Sequence, residues 1–323
     1  MEQHFLHLRS RGCRGAVELC ARARDMRAMS ATYGKDAVCP VPTVARPGLR
    51  MAMCFAGASH ETEDTAAQAW QDAARCLGAA VLPLEWKAEG KTEPAALIAG
   101  ARGCDVLVVG GLEPGILTEL AQLAPMPLVN AGNETARPCQ VLADLLAVSL
   151  RRNPAAAPLK ALRAGWLGDA DGPSAGLFRS WLDAALCFHL EFFAGFPRGH
   201  EPDAEHLECA MSAGARIFLS HDPLPVVDGC HVLVAAPWNA SASGLGARHP
   251  LLSDPELAQA AAGIPVCPFD AHISSEADGP WEAERKACLR ACQAALIDML
   301  CPPAEYSVNV QQGGADSAAA RQP

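Results

Sequence analysis

Apolar and polar positions alternate along most of the chain between a buried-strand pattern and a helical one. Val17, Leu19, Cys20, Ala23 and Met26 fall at helical spacing, so a helix is predicted from Gly15 to about Met29. After a Pro/Gly-rich stretch from Pro40 to Gly48, the short apolar run 50–55 reads as a buried strand and 62–77 as a helix. Strand and helix then alternate: strand 80–84, helix 93–101, strand 105–111, helix 115–124, strand 127–130 and helix 139–150. Asn153 to Pro158 reads as a connection, after which the rhythm restarts. Strand 164–169 leads into helix 174–186, strand 190–194 and a helix opened by Pro202-Asp203. Strands 215–219 and 231–235 follow, and a long helix closes the pattern from Trp281 to Leu300.

This rhythm predicts an α/β protein of two doubly wound parallel-sheet domains. The expected division is 1–150 for the first domain and 151–302 for the second. The closing helix, about 281–300, is expected to pack back on the first, and 303–323 is expected to be a disordered tail. Ligands of open parallel sheets sit at the carboxyl ends of strands. The candidate site is therefore built from the turns after Phe55, Gly110, Asn130, Gly168, Ala236 and Cys267.

Composition narrows the class. The chain has 323 residues, half of them hydrophobic, and a formal net charge of −10. An acidic chain argues against nucleic acid and anionic membranes as partners. No apolar run approaches a membrane span and the N-terminus has no signal-peptide pattern, so a cytoplasmic protein is expected. Fourteen cysteines are scattered without a C-x-x-C, which fits small buried residues in a reducing compartment.

Several residues at the turns carry chemistry. His60-Glu61-Thr62-Glu63-Asp64 is a dense acidic cluster at a helix start. It reads as a divalent-metal site, as an acidic pocket for a cationic ligand, or as a solvated helix N-terminus. Arg137 suits a carboxylate or phosphate, or else an ion pair with Glu134 or Asp144. Cys267 is a thiolate nucleophile, a ligand contact or a buried residue. Trp238 packs or shapes a pocket. Gly168-Asp169-Ala170-Asp171-Gly172 lacks the dinucleotide G-x-G-x-x-G, and no cofactor or metal is expected.

The order of these turns resembles the aspartate/ornithine carbamoyltransferase family, and its ornithine branch best. Residues 4–8 are similar to the family's opening F-L-x-L. Asn130-Ala131-Gly132 followed by Arg137-Pro138-Cys139-Gln140-Val141-Leu142-Ala143-Asp144 resembles N-x-x followed by H-P-x-Q-x-L-A-D. Residues 166–171 resemble W-x-G-D-x-N, 196–203 resemble P-x-G-Y-x-P, and Pro265-Val266-Cys267-Pro268 resembles H-C-L-P. The resemblance implies carbamoyl transfer to an amine of an amino-acid-like substrate, in a homotrimer whose sites lie at subunit interfaces.

It also implies a set of site residues. Phe55 to Asp64 lies where the family has F-x-x-x-S-T-R-T-R, the carbamoyl-phosphate loop. Ser59 and Thr62 match, while both arginine positions are glutamates, Glu61 and Glu63. A third family arginine falls on Gly110 and the family's histidine on Arg137. Lys91, with Lys87 as a rival, matches the lysine lent by a neighbouring subunit. Lys91, Arg137, Glu61 and Glu63 are thus the candidate catalytic residues. Ser59, His60, Thr62, Gln140, Asp171, Trp238 and Cys267 are the candidate substrate-binding residues. One charge pair at 4 Å is worth about 4 kcal/mol at an effective dielectric of 20. Two arginine-to-glutamate exchanges replace such attractions with repulsions. Carbamoyl phosphate is therefore expected not to bind in the family's usual way. The resemblance leaves three activities open: a divergent transferase, an inactive binding or scaffold protein, and a working ornithine-type enzyme with rewired phosphate contacts.

Overall fold

Val106–Gly110 contains no polar residue and is buried at every position, which only a strand covered on both faces requires. It is the third strand of a computed structural model that describes residues 3–33, 48–56, 60–87, 93–152, 159, 162–238, 249–269 and 279–302. The side chains of 31–33 and 60–65 are excluded from that description. The connection expected at Asn153–Pro158 and the tail expected after Pro303 lie outside the described residues.

The first half runs α1 (Gly12–Tyr33), β1 (Arg50–Phe55), α2 (His60–Leu77), β2 (Ala80–Glu85), α3 (Pro94–Gly100) and β3 (Val106–Gly110). It ends with α4 (Pro114–Leu123), β4 (Leu128–Gly132) and α5 (Pro138–Arg152). The second half runs β5 (Arg163–Leu167), α6 (Ala175–Phe188), β6 (Glu191–Gly195), α7 (Ala204–Ser212), β7 (Arg216–Ser220), α8 (Leu224–Val227) and β8 (Val232–Ala235). The short α9 (Pro250–Ser253) and α10 (Pro255–Ala260), β9 (Val266–Pro268) and α11 (Pro280–Leu300) complete it. The expected strands and long helices are present, with ends differing by a few residues. The sequence reading omitted α8, α9 and α10, four to six residues each; such pieces are too short to show a helical period.

All strand pairs are parallel, in the orders β2-β1-β3-β4 and β7-β6-β5-β8-β9. The chain reverses its direction of winding between β1 and β3 and again between β5 and β8, so each sheet has one switch point. The protein is thus an α/β fold with two parallel-sheet domains. Phe5 bridges Val129, which seats the N-terminal segment beside β4. Helix α11 packs against α1, α5 and α2.

One contiguous core runs between the two sheets through α1, α5, α6 and α11. Its aromatic part joins α6 to β5 and β6. Trp166 meets Phe178 edge-on at 5.1 Å, and Trp181 stacks on Phe192 at 6.0 Å. No helix among the described residues is long and apolar enough to cross a membrane.

His249, buried ahead of α9, gives the fold a pH dependence. Its Nδ1 accepts from the Leu251 N–H, and its Nε2 lies 3.3 Å from the Leu167 carbonyl, which fits a neutral ring donating there. Burial pulls its pKa below the usual 6.5, against the opposing Leu167 carbonyl. The unfolded chain therefore takes up a proton near pH 6.5 that the folded state resists. The stability contribution is complete above that pH and is lost progressively as pH falls from there through the lower folded pKa. The thermal midpoint of the wild type should fall as pH is lowered through about 6.5, and His249→Gln should flatten that slope. An unchanged slope in the variant would sink this assignment.

Candidate functional site

The ends of β1 and β3 meet closely at the first switch point. Gly111 has φ +71°, and a Cβ there would lie 1.5 Å from the Ala56 carbonyl oxygen, so only glycine fits. At Gly110 a Cβ would lie 2.6 Å from the Phe55 ring. The phenylalanine thus occupies the space into which a longer side chain at Gly110, such as the family's arginine, would have to extend.

Beside this junction the loop after β4 is held by its own amides. Asn130 donates to the Leu6 carbonyl at 3.0 Å and accepts from the Gly132 N–H. Asn133 accepts from the Thr135 and Ala136 N–H groups and the Thr135 hydroxyl, and donates to the Leu112 carbonyl. These are local side-chain turns that fix a loop without regular structure. The Arg137 N–H then donates to the Ser180 hydroxyl on α6 at 2.8 Å. Arg137 is in this way positioned from both halves of the chain.

Its side chain enters a cavity of about 470 Å³ at the carboxyl ends of β1, β3 and β4, closed on the far side by Pro268 and by α11. Burial lowers the Arg137 pKa from the usual arginine value, and Glu134 opposes this; a guanidinium stays charged at neutral pH. The Arg137 guanidinium lies 4.9 Å from the Phe269 ring centroid, a cation–π contact. It has no ion-pair partner among the described residues, and its buried Nε has no hydrogen-bond partner. The alternative of an ion pair with Asp144 does not form, because Arg285 takes that carboxylate. Arg285 Nε donates to Asp144 Oδ1 at 2.7 Å, and its Nη1 donates to Glu282 at 2.6 Å. Burial works against the Arg285 charge, but Asp144 outweighs it and holds the pKa above the usual value.

Of the sequence-derived site residues, the cavity brings together Arg137 and Gln140, with Asp144 in its wall. Cys267 lies behind that wall, fully buried. Burial pushes its thiol well up, and the neighbouring Asp144 adds to this, so it stays protonated. Asp171 and Trp238 lie at the second switch point, after β5 and β8. The Trp238 ring meets His249 edge-on at 6.1 Å and packs on the small core around Leu167 and Leu233. Ser59 and Lys91 lie outside the described residues. So do the side chains of His60, Glu61, Thr62 and Glu63, whose backbone forms the first turn of α2.

The sequence reading missed Arg285, Lys286 and Glu282, which line the cavity from α11. Their spacing along one face of the closing helix was the available signal, but it matches an ordinary solvated face equally well. Among the described residues Asp169, Asp171 and His200 bring possible metal-ligand atoms within 4.8 Å of one another, with His200 Nδ1 3.8 and 3.5 Å from the two carboxylates. That cluster sits at the second switch point, apart from the cavity.

No family model matches the chain. It is 31% identical over 247 residues to the ornithine carbamoyltransferase of Oleidesulfovibrio alaskensis, covering 74% of this chain and 73% of that protein. It is 32% identical over 243 residues to that of Nitratidesulfovibrio vulgaris, with the same coverage. Among solved structures, the anabolic ornithine carbamoyltransferase of Campylobacter jejuni superposes with a TM-score of 0.73 at 19% identity, over 92% of this chain and 98% of that one. The catalytic subunit of M. jannaschii aspartate transcarbamoylase gives 0.67 at 15% identity, over 92% and 98%. The structural matches establish the fold, and the sequence matches, spread over nearly three-quarters of both partners, carry the family. By descent and by architecture, the chain belongs to the aspartate/ornithine carbamoyltransferase family.

Proposed function

We propose that the protein is a transferase that moves a small group onto the amine of an amino-acid-like metabolite bound in the cavity at the first switch point. The observation that carries this reading is Arg137: a mostly buried cation that points into the cavity with no ion-pair partner among the described residues. Such a group is suited to a carboxylate or phosphate of the substrate. Its own loop is already pinned by Asn133 and Ser180, so little ordering is left for the binding step to supply.

In this reading Arg137 binds the anionic part and Gln140 hydrogen-bonds beside it. Lys286 adds positive charge at the rim, and Glu61 and Glu63 face a cationic part. Ser59, His60 and Thr62 contribute from the same loop, and Lys91 completes the site from a neighbouring subunit of a homotrimer. Asp171 and Trp238 belong to the acceptor side, and Cys267 packs behind the cavity wall against Asp144. The amine nitrogen attacks the carbon of the transferred unit, the donor's leaving group departs with its bonding electrons, and the amine gives up a proton. The donor is not carbamoyl phosphate held in the usual manner: two arginines of that loop are glutamates, and the third arginine position is a glycine under the Phe55 ring. The proposed setting is the cytoplasm, and the proposed division into domains falls near residue 150.

The same three replacements favour a second reading, a family member that binds a metabolite or a partner without turnover. Calorimetry and thermal shift separate the two, using carbamoyl phosphate, ornithine and a phosphonoacetyl analogue alongside cationic amino acids and guanidines. A shift from a cationic amino acid, without a response to carbamoyl phosphate, is the expected result. Ornithine-dependent citrulline formation from carbamoyl phosphate would overturn the altered donor. Silence toward all of these ligands would favour the non-catalytic reading.

A further inference from the structure

The N-terminal segment crosses onto α6 through side-chain contacts that the cavity does not use. Arg9 pairs with Asp183 at 2.7 Å. One helical turn further along α6, the Cys187 sulfur lies 2.9 Å from the Cys13 sulfur in the first turn of α1. Both thiols are free. Cys13 is partly exposed and Cys187 is buried, so an oxidant reaches the pair through Cys13. A disulfide needs its sulfurs at about 2.05 Å, so closing this pair brings the two sulfurs together by roughly 1 Å from their 2.9 Å separation. The cysteines gathered around α11 differ: Cys20, Cys139, Cys288 and Cys292 are all buried in the core, where no oxidant enters.

We infer that Cys13 and Cys187 form an oxidative modification site, a reversible crosslink between the N-terminal helix and the second parallel-sheet domain, made by hydrogen peroxide. The Cys13 sulfur attacks one peroxide oxygen, the O–O bond breaks, and a sulfenic acid and one water result. The Cys187 sulfur then displaces the hydroxyl, the S–S bond forms, and its thiol proton leaves with that hydroxyl as a second water. Two thiols lose two electrons and one peroxide becomes two waters. Burial first, and then Cys13 itself, keeps the Cys187 thiol protonated. Cys187 therefore acts as the second, resolving partner, and Cys13 as the one that meets the oxidant.

The consequence follows from topology. The bond would close a loop containing all of β1 to β5, and so the whole first sheet. A crosslink across so long a loop restrains the unfolded chain strongly, and the midpoint of the oxidised protein rises. It also ties α1 to α6 across the junction from which Ser180 holds Arg137.

The test uses the full chain treated with peroxide, because only peptide mapping can tell one pair from the rest of the 14 cysteines. A non-reducing digest should yield the Cys13–Cys187 linked peptide, and the thermal midpoint should rise by several degrees and return with dithiothreitol. Cys13→Ser, a change at a partly exposed position, should fold normally and show neither effect. Cys20→Ser serves as a control that keeps both. Recovery of Cys13 and Cys187 in unlinked peptides after treatment overturns the inference. So does an equal rise in midpoint in Cys13→Ser.

Discussion

Replacing Arg137 by alanine should remove ligand binding in the cavity while leaving the fold intact. Truncating one partner of a buried, hydrogen-bonded charge pair costs about 2–5 kcal/mol, which is roughly 30-fold or more in Kd at 1.4 kcal/mol per decade. The loss should be read with inorganic phosphate and with the amino-acid ligands as separate probes. Stability should hardly move, because the guanidinium has no ion-pair partner among the described residues and pays for its own burial. What it loses is a cation–π contact with Phe269, worth about 0.5–2 kcal/mol and offset by relief of that burial. Arg137→Lys should fall between, since an ammonium keeps the charge but cannot present two parallel donors. A variant that binds every ligand as the wild type does would remove Arg137 from the site. A variant that fails to fold would show that the arginine is structural.

The largest stability effect is expected at Asp144. The carboxylate is buried against Arg285, itself 8% exposed, and Asp144→Ala leaves that guanidinium with Glu282 as its remaining ion-pair partner among the described residues. Removing one member of a buried pair costs about 3–5 kcal/mol. Glu282 places the expected loss at the lower end of that range. The paired change Asp144→Leu with Arg285→Met should recover most of it, because two apolar residues of similar volume leave no charge stranded. Chemical denaturation of Asp144→Leu, Arg285→Met and the double variant forms a cycle that isolates the pair. An Asp144→Ala protein as stable as the wild type would mean that Arg285 finds its counter-charge elsewhere. Arg285 also lines the cavity, so the same variants should alter ligand affinity, and the double variant should restore stability without restoring binding.

The legible and the illegible parts of this protein separate by the range of the interactions involved. Strand β3 was legible because five successive apolar residues, bounded by Asp105 and Gly111, admit few other readings. The helix opened at Asp203 was legible because an aspartate ahead of a helical pattern caps it, and Asp203 does accept from the Glu205 N–H. The glycines at 110 and 111 marked a turn, but nothing local says that Phe55 and Ala56 press against them. Arg137 stood out by its motif context, whereas Asn133 and Ser180, which position it, look like ordinary loop and helix residues. Cys267 illustrates the limit from the other side. Its place at a strand end suggested ligand contact or reactivity. Only burial against Asp144 makes it a protonated thiol behind the cavity wall.

The sequence by itself determined the alternation of strands and helices, the parallel two-sheet architecture and the family. These rest on periodicity and on short motifs whose causes lie within a few residues. The tertiary structure alone decided that Asp144 belongs to Arg285 and not to Arg137, which leaves Arg137 to face the cavity. It also decided that the closing helix lends Arg285 and Lys286 to a site built by the first sheet, and that Cys13 meets Cys187 across more than half of the chain. Each of these is a choice among several possible partners for a charge or a sulfur. Such choices are settled by which surfaces the packing brings together, and that carries no trace in local sequence.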